Sequence, residues 1–129
     1  MSVPAAVLSP AIRAVEELDG LLALAGVEAT RDPGAFYPQP TGILIGLPAM
    51  VGRGLASRRF EVSVLVVSGD PLSTPAAADR LFSLADDVAL ILATDSYRPS
   101  SYRSGANAEP LPAVELTVTV TVTETPEED

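Results

Sequence analysis

Residues 113 to 123 read A-V-E-L-T-V-T-V-T-V-T, and this stretch limits the possible folds more than any other. Val114, Leu116, Val118, Val120 and Val122 alternate with Glu115, Thr117, Thr119, Thr121 and Thr123. Successive side chains of a strand point to opposite faces, so every large apolar group falls on one side of a half-buried β-strand. Val and Thr are β-branched and favour a pleated surface, and no Gly or Pro interrupts the ladder. Burying a Val or Leu side chain is worth roughly 1.5 to 3 kcal/mol, so a slip of one residue, which would wet all five, is strongly opposed. The rest of the chain must supply an apolar cover for this face.

A chain of 129 residues is long enough to bury about two thirds of its unfolded surface around a single core. With 47% hydrophobic residues, no Trp and three Phe, that core is aliphatic. We expect one domain over residues 1 to 124, followed by a short, acidic, disordered tail over residues 125 to 129.

There is no Cys and no His, which excludes disulfides, thiolate and imidazole metal sites, Cys nucleophiles and Ser-His triads. An enzyme is therefore not expected, nor a cofactor or a bound metal. The basic residues are all Arg, and the net charge of −9 arises entirely in residues 61 to 129. Such an acidic chain is a poor holder of nucleic acid, although a surface that DNA merely passes is compatible with it. The start, M-S-V-P-A-A-V-L-S-P, does not read as a signal peptide. Residues 33 to 52 are uncharged, but their Pro and Gly content forbids a membrane-spanning helix. A soluble protein made in the cytoplasm is expected.

In chain order, Ser9-Pro10 forms an N-cap and first helical residue, with Ile12, Val15, Leu18, Leu21, Leu22 and Ala25 at helical spacing and Gly26 as the stop. Arg13, Glu16, Glu17 and Asp19 make its solvated face. Val27 to Thr30 is a candidate short strand, and Asp32-Pro33-Gly34 a turn. Thr41 to Leu47 reads as a strand closed by Pro48, and the Gly-bearing residues after it as a loop or the tip of a long hairpin. Ser57 to Ser68 is a strand whose far end is apolar on both sides, which suggests a central position. Ser73 or Thr74 caps a second helix beginning at Pro75, with Ala78, Leu81, Leu84, Ala85, Val88, Ile91 and Leu92 as its apolar stripe and Thr94-Asp95 as its end. Asp86 and Asp87 are adjacent, so on a helix they point about 100° apart and cannot share a metal. Ser96 to Pro112 reads as a long connection, and S-Y-R occurs in it twice.

Two sets of residues are candidates for contacts with a subunit or partner. Arg53, Arg58 and Arg59 form the one local basic cluster, which admits two readings: edge-strand charge that blocks aggregation, or a patch for an acidic neighbour. Tyr97, Arg98, Tyr102 and Arg103 carry the repeated S-Y-R, and Tyr and Arg are enriched at protein interfaces. Thr119 and Thr121, on the polar side of the last strand, could be covered by a neighbouring copy.

The order helix, short strand, strand, strand, helix, strand predicts an α+β fold: a four-stranded mixed sheet with two α-helices packed on one face. A crossover through the second helix would be right-handed if its flanking strands were parallel neighbours. Taken together, the leading helix ending L-A-L-A-G-V-E-A, the R-D-P-G and P-Q-P-T-G-I-L-I-G-L-P segments, R-R-F-E-V-S-V-L-V-V-S, the helix A-A-D-R-L-F-S-L-A-D-D-V-A-L-I-L and the closing E-L-T-V-T-V-T-V resemble the tail terminator family of long-tailed bacteriophages, also called tail-completion or minor tail proteins. The resemblance spans about residues 9 to 124. It implies a structural virion protein at the head-tail junction, a homo-oligomeric ring, typically a hexamer, on the head-proximal end of the tail tube. Such a ring stops polymerisation of the major tail tube protein and joins the tail to the head-completion proteins, while DNA passes through without specific binding. A connector or neck protein of the same assembly, and a small-molecule binding module, remain as alternatives.

Overall fold

The computed structural model describes residues 9–36, 38, 41–54, 56–69, 74–103 and 109–123. Its elements run α1 (Pro10–Leu24), a 3-10 turn (Pro33–Ala35), β1 (Thr41–Arg53), β2 (Ser57–Ser68), α2 (Pro75–Ile91), β3 (Tyr97–Tyr102) and β4 (Leu111–Thr123). The expected acidic tail lies outside the described residues. Among the described residues no helix is long and apolar enough to cross a membrane.

Each helix begins on a hydroxyl cap followed by Pro. Ser9 Oγ accepts from Ile12 N at 3.3 Å and Thr74 Oγ1 accepts from Ala77 N at 3.1 Å, with Pro10 and Pro75 giving up no needed donor at the first helical position. Each also ends on the same pair of bonds. In α1, Gly26 N donates to Ala23 O and Val27 N to Leu22 O; in α2, Ala93 N donates to Leu90 O and Thr94 N to Ala89 O. This closure needs a left-handed residue, which is Gly26 at φ 79° in the first helix but Ala93 at φ 55° in the second. Thr94 then ties the end of α2 to the sheet, its hydroxyl donating to Thr117 O at 2.7 Å.

The sheet has the order β1-β2-β4-β3. All three ladders are antiparallel, and β2 and β4 pair along their length from Ser57↔Thr123 to Val67↔Ala113. The halves of the chain therefore repeat one plan, a helix followed by two antiparallel neighbours, and they meet through the second strand of each. Val114, Leu116, Val118, Val120 and Val122 of β4 share a face with Phe60, Val62, Val64 and Val66 of β2 and with Ile43 and Ile45 of β1. Ala14, Val15, Leu18 and Leu22 of α1 and Leu81, Ala85, Val88 and Leu92 after them complete this core. Both helices lie on this one face. The α+β class and the four-stranded sheet carrying two helices are as expected, and β2 is central, but the sheet is antiparallel rather than mixed, because each strand pair is joined without a parallel crossover.

Four local expectations are revised. The segment before the 3-10 turn contributes a single parallel bridge, Thr30 to Leu44, the one parallel pairing among the described residues. Pro48 does not close its strand: β1 continues to Arg53 through register shifts between Ile45 and Pro48 and between Met50 and Gly52. A bulged edge strand tolerates a residue without an N–H, which is why the Pro is accommodated. The fourth strand of the sheet, β3, falls in residues expected to be a connection, and β2 and β4 are neighbours but antiparallel, so the handedness rule for parallel crossovers does not apply. On the helices, Ile12 and Leu21 remain 43% and 40% exposed, so α1 buries a narrower stripe than its sequence offers.

Left-handed backbone costs a residue with a Cβ more than it costs Gly, so Ala93→Gly should raise the stability to urea unfolding by about 0.5 to 1 kcal/mol. Gly26→Ala should lower it by a similar amount. An Ala93→Gly variant no more stable than the parent would show that the α2 closure carries no strain.

Candidate assembly surfaces

The sheet face turned away from the helices is covered at one end only. Asp32 accepts from Gly34 N at 2.9 Å and sets the 3-10 turn, which brings Phe36 over the start of β1. A Cβ on Gly42 would lie 2.8 Å from the Phe36 ring, so Gly at this position is what lets the ring approach. The ring also meets Tyr102 of β3 edge-on, with centroids 5.1 Å apart. Val67 and Ala113, beside Gly42 in neighbouring strands, are buried although they face away from the helices.

Beyond that cover, and beyond Leu44 and Leu65 in the row of Glu115, the face is polar. The register sets Ser63 opposite Thr117, Glu61 opposite Thr119, and Arg59 opposite Thr121, and Thr119 and Thr121 are exposed. Arg98 on β3 is directly across from Glu115, with Nη2 at 2.8 Å and Nε at 2.9 Å from the same Oε1. The hydrogen bond from Arg98, then that from Ser63, holds the Glu115 carboxyl below its ordinary value, against the opposing effect of burial. Arg98 is thus occupied within the sheet.

The odd spacing of the S-Y-R repeat separates its tyrosines. Tyr102 is on the Phe36 side, while Tyr97 is paired with Leu116 and lies on the helix side. Its phenol is pushed up, first by burial and then by the Asp86 carboxylate of α2. The sheet edge at β3 therefore carries Tyr97 next to the flank of α2 that bears Asp86. Arg103 follows the strand and is exposed.

The basic cluster is at the far end of the β1–β2 hairpin. Arg53 and Arg58 are opposite one another, so two like charges meet across the ladder. The Arg59 guanidinium lies over Gly52, where a Cβ would come within 2.8 Å of it. Arg53 and Arg59, with Gly52, Gly54, Ser57 and Thr121, line an open recess of about 280 Å³. Neither Arg53 nor Arg59 makes an ion pair or a side-chain hydrogen bond with a described residue. The fold thus brings Arg53, Arg59 and Thr121 together, with Arg58 and Thr119 on adjoining positions, and leaves Tyr97, Arg98, Tyr102 and Arg103 on the opposite edge of the sheet.

Sequence reasoning did not single out the apolar side chains that flank these charges. Leu47, Met50 and Val51 on β1 are 92%, 54% and 47% exposed, and Phe82 and Leu90 on α2 are 39% and 81% exposed. The α2 pair was legible in principle, since positions 82, 86 and 90 form one ridge at four-residue spacing outside the buried stripe. The β1 residues were not, because two bulges abolish the alternation that would have revealed them. No protein-family model matches the chain, and a search of curated proteins finds no significant match.

Because the folded carboxyl of Glu115 is held below the unfolded value, its contribution to stability is present above the unfolded pKa and is lost as pH falls through the folded one. Unfolding free energy measured from pH 7 down to pH 3 should therefore drop less steeply for Glu115→Gln than for the parent. Parallel curves would mean that the Arg98 pair makes no pH-dependent contribution.

Proposed function

We infer that this chain is a structural subunit of a phage tail terminator ring. In this reading copies of the chain close on the head-proximal end of the tail tube, halt addition of tube protein and offer a surface to the head-completion proteins. The observation that carries it is the uncovered half of the sheet, where Ser63, Thr117, Thr119 and Thr121 form a broad hydroxyl-rich face whose charges balance, Glu61 against Arg59 and Glu115 against Arg98, with no large apolar group in that face's pairs from Arg59 to Ser63. A face of this kind suits the bore of a ring, because without a net positive field it gives a passing duplex little to adhere to. The sequence layout described above supplies the identity of the assembly, and the virion tail is its place of action. A head-completion or neck subunit would share this physics and differ in its partner.

The Arg-lined recess at the hairpin end specifically favours a second reading, a module that takes a small anionic molecule there. Capping separates the two. Added to the polymerising tube protein, the chain should give tubes of limited length with a ring at one end, visible by negative-stain electron microscopy. The double variant Thr119→Lys/Thr121→Lys should keep the parent's circular dichroism and lose capping, since both positions are exposed in the free chain. Tubes of unregulated length with the parent protein would overturn the terminator reading, and normal capping by the Lys variant would remove the Thr face from it.

A further inference from the structure

The two sheet edges carry opposite chemistry. At the β1 edge, exposed Leu47, Met50 and Val51 stand beside Arg53 and Arg59, neither of which has a carboxylate partner among the described residues. At the β3 edge, the α2 ridge of Phe82, Asp86 and Leu90 is exposed next to Tyr97, with Asp79 one turn earlier. The one Arg of that helix, Arg80, points about 120° away from Asp86. Two strands separate β1 from β3, which puts the patches on opposite sides of the molecule, about 14 Å apart at the backbone.

Neither edge is suited to accept a strand from another chain. Pro48 and two register shifts interrupt β1, and Pro99 leaves β3 without an N–H at its middle. Contacts through these edges must then be made by side chains. The β1 patch joins apolar groups to Arg53 and Arg59 and the α2 ridge joins them to Asp79 and Asp86, so these two patches are opposite in sign; of the arginines on β3, Arg98 is held by Glu115 and Arg103 lies past the end of the strand. A patch of this kind repels itself and attracts the other, so self-complementary dimerisation is disfavoured and head-to-tail contact is favoured.

We propose that a second copy of this chain docks its α2–β3 edge onto the β1 edge of the first, with Met50 and Val51 against Phe82 and Leu90, and Arg53 and Arg59 against Asp86 and Asp79. A contact between two different patches propagates from copy to copy and closes into a ring when the rotation between neighbours allows. The proposal rests on the ring reading above and names the surface that would build the ring. It also gives Arg53 and Arg59 an anionic partner, a carboxylate of the neighbour rather than a free ligand.

The chain has no Cys, so introduced thiols report contacts without background. Purified Val51→Cys and Leu90→Cys variants, mixed at high concentration under mild oxidation, should give as the main linked product a mixed dimer, one copy of each variant joined by a disulfide, identified by peptide mass spectrometry. A chain carrying both substitutions should give a ladder of linked species, and native mass spectrometry should find closed rings. Arg53→Asp/Arg59→Asp should abolish the mixed dimer, and adding Asp79→Arg/Asp86→Arg on the partner should restore it. Rings without the mixed link, or a dominant link between two copies of the Val51→Cys variant, would overturn the proposed contact and leave the ring reading standing. The mixed link in open chains without rings would support the contact and sink the ring reading, and loss of both link and rings would sink the two together.

Discussion

The apolar side of β4 has to be kept from water along its whole length, and the packing of the molecule answers that demand. Val114, Leu116, Val118, Val120 and Val122 are each at most 9% exposed. They are covered by both helices and extended sideways by the matching face of β2, so that the register of one strand fixes the register of its neighbour and the seating of α1 and α2. The tie from Thr94 to Thr117 and the Arg98–Glu115 pair then lock the end of α2 and the edge strand β3 to the same central strand. A polar substitution in this row would leave a group in a dry interior without a partner, which is among the costlier changes a domain of this size can suffer.

What could be read from the chain follows the same logic. Apart from the ends at Val67 and Ala113, β2, β4 and both helices bury one regular face each, so their periods survive in the sequence, and the boundaries of β2 and the capping residues Ser9 and Thr74 agree with the structure. β1 past Leu47 could not be read, because each bulge resets the alternation and Pro48 imitates a stop. β3 was hidden for a different reason. Its residues, Y-R-P-S-S-Y, bury almost nothing, so no hydrophobic period marks them. That strand is held by its ladder to β4, by Arg98 on Glu115 and by Tyr102 against Phe36, all of which depend on distant residues.

The candidate surface was legible as a cluster and not as a geometry. Arg53, Arg58 and Arg59 are close in sequence and were visible at once, but only the hairpin register shows two of them opposed and Arg59 lying over Gly52. Likewise the two S-Y-R triplets look equivalent in the sequence, whereas the pleat sends their tyrosines to opposite sides of the sheet. One serves the cover under Phe36, and the other borders Asp86.

The two-part plan of the chain has a consequence for how it folds. Each half can pair its two strands through contacts close in sequence, yet the seam between β2 and β4 joins residues separated by much of the chain. The helices do not divide along that seam. α1 packs on β1, β2 and β4, and α2 on both β2 and β4, so each spans the boundary between halves. A half formed alone would present its apolar face to water with less than its full cover, and the loop-closure entropy of the seam must be met before the burial that rewards it. Closing the seam is therefore expected to limit the folding rate, and unfolding to be cooperative across both halves in spite of the repeated architecture.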